Sequence, residues 1–140
     1  MNYILDTNVI SELVAAQPDP RVIQWIDALN EGQVFLSVIA IGELKKGIER
    51  LPDSQRKDRL DCWLREDLLV RFRDHILSID TNTMLLWGSI IAQLEIIGRP
   101  ISAIDALLAA STEQHQFTLV TRNVSHFENT GIHVLNPWVD

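Results

Sequence analysis

Short strand-like runs alternate with helical segments along almost the whole chain, and this alternation constrains the fold more than any other feature. Each run is rich in apolar or β-branched residues and is mostly flanked by polar ones. The five predicted strands are Tyr3–Leu5, Val34–Leu36, Ile76–Ile79, Thr118–Thr121 and His133–Leu135. Strands joined through helical crossovers form parallel sheets with helices on both faces. The sequence therefore predicts an α/β protein, a three-layer α/β/α sandwich around a mainly parallel sheet of about five strands.

The segments between these strands carry helix signals. Asp19 followed by Pro20 is typical of an N-cap and a first helical residue. Gly98 followed by Pro100 indicates the end of a long apolar helix. The predicted helices span about residues 8–16, 20–30, 38–51, 54–68, 83–97 and 103–115. Their order between the strands is β-α-α-β-α-α-β-α-α-β-β.

The chain has the length and composition of one ordinary domain. It contains 140 residues, of which 46% are hydrophobic, and this supports a single core. The N-terminus lacks a basic segment followed by an apolar run, and polar residues interrupt the longest apolar stretch, Thr83–Ile97. We expect one domain over residues 1–140, in the cytoplasm and with no membrane contact.

The charge of the chain argues against binding of duplex DNA by its whole surface. The formal net charge is −7, whereas affinity for phosphates comes mostly from Lys and Arg. Nine of the twelve basic residues nevertheless lie between positions 45 and 73. This cluster is either a solvated helix face or the rim of a nucleic-acid site.

Three acids stand in apolar surroundings, where an unpaired charge is costly. Asp6 directly follows the first predicted strand, and Glu43 and Asp105 lie in apolar helical segments. Each has an ordinary explanation: Asp6 as a helix cap, Glu43 in a surface pair with Lys46, and Asp105 in a capping box with Ser102. The other explanation is a shared cation site, because carboxylate oxygens are preferred ligands of Mg²⁺ and Mn²⁺.

Other polar residues near strand ends fit local roles. Asp80 precedes a helix and is interpreted as its N-cap, and Asn123 follows a strand, as turn asparagines often do. The four histidines lack the spacing of a zinc site. The sequence therefore favours an oxygen-ligand site near the carboxyl ends of the parallel strands, which is where open α/β sheets bind ligands.

The motifs together resemble those of PIN-domain proteins, and most closely the VapC and FitB branch of toxin–antitoxin ribonucleases. The resemblance extends in order over nearly the whole chain. It is carried by Leu5–Ser11, Leu36–Leu44, Ile104–Ala110, Thr121–Asn123 with His126–Phe127, and Asn136–Trp138.

This resemblance implies a Mg²⁺- or Mn²⁺-dependent endoribonuclease, the toxin of a type II toxin–antitoxin pair. Asp6, Glu43 and Asp105 correspond to catalytic acids that hold the metal. Asn123 stands near the place where the family commonly has a fourth acid, and we expect it to join the catalytic set by orienting water or phosphate, as Thr121 could also do. It further implies a cognate antitoxin, RNA as substrate, homodimerisation, and DNA contact only through the antitoxin. The basic and polar side chains that we expect near the RNA are Arg122, Lys45, Lys46 and Thr121.

Two other classes of function remain open from the sequence. One is a PIN-fold binding module with little nuclease activity, which acts through a DNA-binding antitoxin. The other is a phosphohydrolase similar to the haloacid dehalogenases, which also begin with an aspartate after the first strand. That class has a second aspartate where this chain has Asn8, and a lysine near its late acidic motif, whereas no Lys or Arg lies between Arg99 and Arg122.

Overall fold

The computed structural model describes residues 1–139 and contains a five-stranded parallel sheet. The strands are β1 Tyr3–Leu5, β2 Val34–Ser37, β3 Ile76–Leu77, β4 Thr118–Val120 and β5 His133–Leu135. They lie in the order β3-β2-β1-β4-β5, and every pairing is parallel. In the centre, Tyr3 is in register with Val34 on one side and with Thr118 on the other. The predicted fold class is confirmed.

The helices lie between the strands in the predicted order. They are α1 Thr7–Glu12, α2 Pro20–Asp27, α3 Val38–Glu49, α4 Gln55–Cys62, α5 Leu69–Arg71, α6 Thr81–Ile96 and α7 Ala103–His115. Short 3₁₀ helices span Glu31–Gln33 and Val124–Phe127, and a π-helical segment, Trp63–Leu68, joins α4 to α5. Within residues 1–139, no helix is both long enough and apolar enough to cross a membrane.

Several predicted boundaries differ from the observed ones. Helix α1 ends at Glu12, where the Glu12 carboxylate accepts a hydrogen bond from the Asp19 N–H at 2.8 Å. The charged helix predicted from Ser54 is not continuous, because it widens into the π-helical segment after Cys62. Leu64 and Leu68 in this segment are both buried.

Alternate residues of the central strands supply two separate apolar layers. Leu5 and Val120 pack with α1, α2, α3 and the segment that follows α4. Ile4 and Leu119 pack on the opposite face with α6 and α7. Because successive side chains of a strand point to opposite faces, both faces of the sheet are covered. These are the three layers that the sequence predicts.

The strand order creates a crevice at one edge of the sheet. After β1 the chain crosses to β2 on one side, while β4 lies against β1 on the other. Such a reversal leaves a gap at the carboxyl ends of the two central strands, where α/β proteins bind their ligands. Asp6 follows β1 and Thr121 follows β4, and the Asp6 N–H donates to the Val120 carbonyl at 2.9 Å.

Candidate active site

Asp6 lies at the crevice and also begins α1. Its Oδ1 accepts a hydrogen bond from the Thr7 backbone N–H at 2.7 Å, and the Asp6 carbonyl accepts from the N–H groups of Val9 and Ile10. The helix-cap explanation of Asp6 is thus correct as local structure. A second set of contacts, to the end of β4, holds the other carboxylate oxygen.

Thr121 and Asn8 tie the Asp6 carboxylate to β4. The Thr121 hydroxyl donates to Asp6 Oδ2 at 2.8 Å and accepts from Asn8 Nδ2 at 3.2 Å. Asn8 Oδ1 accepts in turn from the Arg122 backbone N–H at 3.1 Å. Asp6 is 8% exposed and Thr121 is fully buried. The position of Asp6 is therefore fixed from two strands.

Glu43 approaches this group from α3 and is exposed, although the apolar run around it predicts burial. The residues of α3 that are buried are Ile39, Ala40, Leu44 and Ile48. Glu43 lies outside that face, and its Oε1 accepts a hydrogen bond from the Thr7 hydroxyl at 2.7 Å. Thr7 therefore links Glu43 to Asp6, because its backbone N–H and its hydroxyl bond one carboxylate each.

Asp105 lies in the first turn of α7. Ser102 caps this helix and accepts from the Asp105 N–H at 3.2 Å, which is one half of the predicted capping box. The Asp105 carboxylate contacts His126, with its Oδ2 at 3.2 Å from His126 Nδ1. Its side chain is 27% exposed, so it remains accessible from the crevice.

The surroundings of Asp6, including the charges of the other two acids, shift its pKa. The pKa of the Asp6 carboxyl is raised above its ordinary value of 3.8, and desolvation by burial is the largest cause. Hydrogen bonds from Thr121 and Thr7 lower this pKa, but not enough to offset burial. The negative charges of Glu43 and Asp105 raise it further. A cation placed among these acids would relieve the repulsion.

The donor chemistry of the acids fits a hard divalent cation, but their side chains do not enclose one as they lie. Across residues 1–139, no three His, Cys, Asp or Glu side chains stand close enough together to hold a metal ion. Glu43 is turned to Thr7 and Asp105 to His126, each through one carboxylate oxygen. Three carboxylates facing one crevice nevertheless form the type of oxygen-rich ligand set that Mg²⁺ and Mn²⁺ prefer.

Asn123 stands at the mouth of the crevice. Its backbone N–H donates to the Thr121 hydroxyl at 3.1 Å, and the residue is exposed. Its side-chain amide makes no hydrogen bond within the described part of the chain. Arg122, the preceding residue, is also exposed, and its guanidinium lies 5.2 Å from the centre of the Trp138 ring. These two residues border the acids on the β4 side.

The other side chains that the sequence predicts near the RNA, those of Lys45, Lys46 and Thr121, lie in different surroundings. The Lys45 ammonium pairs with Glu49 at 2.7 Å and with Asp61 at 2.8 Å, two acids outside the crevice. Lys46 is exposed and forms no ion pair with Glu43 in residues 1–139. Thr121 is fully buried, and its hydroxyl bonds Asp6, Asn8 and the Asn123 N–H, an arrangement that favours positioning of Asp6 over direct contact with RNA.

The cap predicted at Asp80 is confirmed. Its carboxylate accepts from the Thr83 N–H at 3.0 Å, and the Thr83 hydroxyl bonds back to the Asp80 N–H at 3.1 Å. Hydrogen bonding, first from the Thr83 backbone and then from Gln114, holds the pKa of Asp80 below its ordinary value. Asp80 follows the edge strand β3 and is not part of the acid group.

Three residues that form the site were not among the site residues predicted from the sequence. Thr7 and Asn8 fix the acids, and His126 contacts Asp105. The signals that the sequence offers for them are their proximity to Asp6 and to the β4 turn and their place in the motifs Leu5–Ser11 and His126–Phe127.

Comparisons with known proteins agree with this fold. A model of the PIN domain matches residues 3–132. The toxin FitB of Neisseria gonorrhoeae is 36% identical over 137 residues, which cover 98% of this chain and 99% of that protein. The VapC ribonuclease Y4jK of Sinorhizobium fredii is 35% identical over 135 residues, 96% of each chain.

A solved structure gives the same result. A chain in the structure of FitAB bound to an IR36 DNA fragment superimposes with a TM-score of 0.92, at 34% identity, and the match covers 97% of this chain and 95% of that one. This protein therefore belongs to the PIN domain family. The resemblance carried by its motifs is confirmed, and the haloacid dehalogenase alternative is set aside.

Proposed function

We propose that this protein is a metal-dependent endoribonuclease and the toxin of a type II toxin–antitoxin pair. The observation that carries the proposal is the approach of Asp6, Glu43 and Asp105 to one crevice: Thr7 bonds the first two carboxylates, and the charge of the third also acts on Asp6. The similarity to a toxin and to a VapC ribonuclease supports it.

Mg²⁺ or Mn²⁺ is the proposed cofactor, with Asp6, Glu43 and Asp105 as its ligands. When bound, such an ion lowers the pKa of a coordinated water and neutralises charge that develops on the scissile phosphodiester. Asp6 contributes a carboxylate whose position is already fixed, whereas the exposed Glu43 side chain is able to adjust. Burial, and then the charges of Glu43 and Asp105, raise the pKa of Asp6, so a cation also stabilises the ionised form of the site.

The other proposed site residues orient the substrate or the acids. Thr121 and Asn8 hold Asp6, while the unbonded amide of Asn123 is suited to hydrogen-bond a water or a phosphate oxygen. An amide adds no negative charge, so we propose three anionic ligands rather than four. Arg122 and Lys46 are the proposed cationic contacts of the RNA, because both are exposed on elements that border the acids.

An antitoxin is the proposed partner, and it supplies the contacts to DNA. The net charge of −7 does not favour DNA binding by this chain alone, and the similar FitAB complex is bound to DNA. Homodimerisation is also proposed, because α6 leaves apolar side chains in water, with Leu85 67% and Ile96 83% exposed. The cytoplasm is the proposed location.

The decisive experiment uses the chain purified free of any partner. It is incubated with total cellular RNA in Mg²⁺ or in EDTA, and the new 5′ ends are mapped. We expect cleavage at defined positions with Mg²⁺ and none with EDTA. Glu43→Gln should reduce the cleavage to a small residual rate, whereas Glu49→Gln, a matched change at the far end of the same helix, should not. Cleavage that persists in EDTA contradicts the metal-dependent mechanism.

A second function is favoured by one observation, that the acids do not enclose a cation as they lie. It is a PIN-fold binding module that acts through a DNA-binding antitoxin and cleaves little or no RNA. The same preparation separates the two functions. A chain that binds its antitoxin but produces no new 5′ ends at saturating Mg²⁺ is the binding module.

A further inference from the structure

A second polar cavity opens directly beside the acid site. It has a volume of about 300 Å³ and lies between the turn that joins α6 to α7 and the 3₁₀ helix Val124–Phe127. Asp105 belongs to its lining and to the acid group alike. A ligand in this cavity is therefore adjacent to the proposed reaction centre. The volume is at the lower end of the range for small-ligand pockets, roughly 300–1,000 Å³.

Both walls of the cavity are held by the chain itself. In the first wall, Gly98 has a φ of 71°, and the Arg99 N–H donates to the Leu94 carbonyl at 2.8 Å, which closes the end of α6. In the second wall, the Phe127 side chain is buried in the core, and the Phe127 carbonyl accepts from the Thr130 hydroxyl at 2.6 Å. The cavity is thus preformed.

The lining contains the types of side chain that bind a single nucleotide. Arg99 is exposed and has no ion-pair partner within residues 1–139, so its charge is available to a phosphate. The His126 ring is 52% exposed and offers a face for stacking. Small polar groups complete the lining: Ser102, Ser125 and Asn129. Proteins recognise single-stranded RNA through this combination of a cation, a flat ring and short hydrogen-bonding side chains.

The charges of the lining also favour one orientation of a bound nucleotide, with its phosphate towards Arg99. Asp105 and Glu128 are acidic and repel phosphate, whereas Arg99 attracts it. The apolar part is restricted to Leu94, Pro100 and Ile101. This is little apolar surface for anchoring a protein segment, since the core of a protein interface is mostly apolar.

We propose that this cavity is a subsite for one nucleotide of single-stranded RNA, next to the phosphate that is cleaved. Arg99 contacts the backbone phosphate on the far side of that nucleotide, and the His126 ring stacks on its base. This inference rests on the proposed ribonuclease function. It adds a substrate contact that the acids alone do not provide.

The test measures binding and not cleavage. The probe is a labelled single-stranded RNA of random sequence, about ten nucleotides long, and its affinity is measured in EDTA over a salt series. Arg99→Gln should weaken binding and reduce the slope of log K against log salt by about 0.7, the value for one phosphate contact on a single strand. The matched control is Arg73→Gln: Arg73 is exposed and precedes β3, so it lies at the amino ends of the parallel strands, on the edge of the sheet opposite the crevice.

Changes at position 126 test the stacking contact separately. His126→Ala should weaken RNA binding by about 5- to 160-fold, the range for loss of a stacked base. His126→Phe keeps a flat ring and should retain most of the affinity, although it loses the contact to Asp105. Thermal unfolding of each variant checks that the chain is folded.

The outcomes separate the subsite from the proposed function. If wild-type protein binds the RNA and Arg99→Gln behaves like Arg73→Gln, the subsite is wrong and the ribonuclease proposal is unaffected. If Arg99→Gln weakens binding of the antitoxin but not of RNA, the cavity belongs to the protein partner and the subsite is again wrong. If wild-type protein neither binds nor cleaves RNA, the ribonuclease proposal fails, and the subsite fails with it.

Discussion

Asp6 and Asp80 form a natural matched pair for testing the metal site. Each begins the sequence Asp-Thr-Asn, follows a strand and caps a helix. Their pKa values shift in opposite directions from 3.8: burial raises that of Asp6, and hydrogen bonding from the Thr83 backbone lowers that of Asp80. Replacing either aspartate by asparagine removes a charge but changes the volume little. Because the two pKa shifts have opposite directions, the two substitutions should change thermal stability in opposite directions.

The sign of each effect follows from proton linkage. Because the folded-state pKa of Asp6 is raised, its ionisation destabilises the fold above that pKa, and the penalty disappears as pH falls towards 3.8. At pH 7 without metal, Asp6→Asn should therefore unfold at the same temperature as wild type or higher. Asp80 contributes stability above pH 3.8 that is lost as pH falls through its lowered pKa, so Asp80→Asn should unfold at a lower temperature.

The size of the expected effect of Mg²⁺ on thermal stability follows from its binding to the folded chain. An ion at about 100 times its dissociation constant stabilises the fold by about 2.7 kcal/mol. For a chain of this length that is an increase in Tm of roughly 8 °C, at about 3 °C per kcal/mol. Wild type and Asp80→Asn should both show this increase, and Asp6→Asn should not, because one of three proposed anionic ligands is gone.

The assay is thermal unfolding followed by circular dichroism, with each protein in EDTA and in saturating Mg²⁺. Two results would refute the reasoning. One is an equal increase in Tm with Mg²⁺ for Asp6→Asn and wild type, which places the ion elsewhere. The other is a large loss of stability for Asp6→Asn in EDTA, which means that the charge of Asp6 stabilises the apo fold.

Three further substitutions test particular contacts. Thr121→Val should lower stability by about 1–3 kcal/mol, because it leaves the partners of a buried hydroxyl unpaired; urea unfolding measures this, and an unchanged midpoint contradicts it. Ser111→Ala should raise the urea midpoint, by up to about 1 kcal/mol in stability, since the buried Ser111 hydroxyl has no hydrogen-bond partner within residues 1–139. Arg122→Ala should reduce the salt slope of RNA binding by about 0.7; an unchanged slope leaves Arg122 with a structural role against Trp138.

The alternation of strands and helices was predictable because it depends on local patterns. The apolar runs, the caps at Asp19 and Ser102 and the Gly98 signal all act within a few residues, and each has its predicted structure. Helix ends were less predictable. The π-helical segment after Cys62 depends on how Leu64 and Leu68 pack against the core, which no local pattern records.

The two Asp-Thr-Asn segments show why the order of the strands in the sheet is needed to identify the site residues. Locally they are the same, and both cap helices. Asp6 follows the central strand and meets Thr121 from the neighbouring strand, whereas Asp80 follows an edge strand and meets Gln114. In the sequence, the apolar surroundings of Asp6 and the family resemblance distinguished the two.

Contacts between distant elements were the least predictable part. Glu43 bonds Thr7 across 36 residues, and Asp105 meets His126 only because the 3₁₀ helix after β4 folds against α7. The exposure of Glu43 was also missed, because the first half of α3 is apolar on all sides and its sequence does not reveal which face packs on the sheet. The roles of the site residues, the single domain and the location remain predictions.

The central claim is that the three acids act as one site, and a double-mutant cycle on RNA cleavage tests it most directly. The cleavage rate in saturating Mg²⁺ is measured for wild type, Glu43→Gln, Asp105→Asn and the double variant. If both acids hold the same ion, the double variant should be no slower than the slower single variant, because residues that act as a unit give non-additive losses. Losses that multiply, or full activity in either single variant, contradict the account.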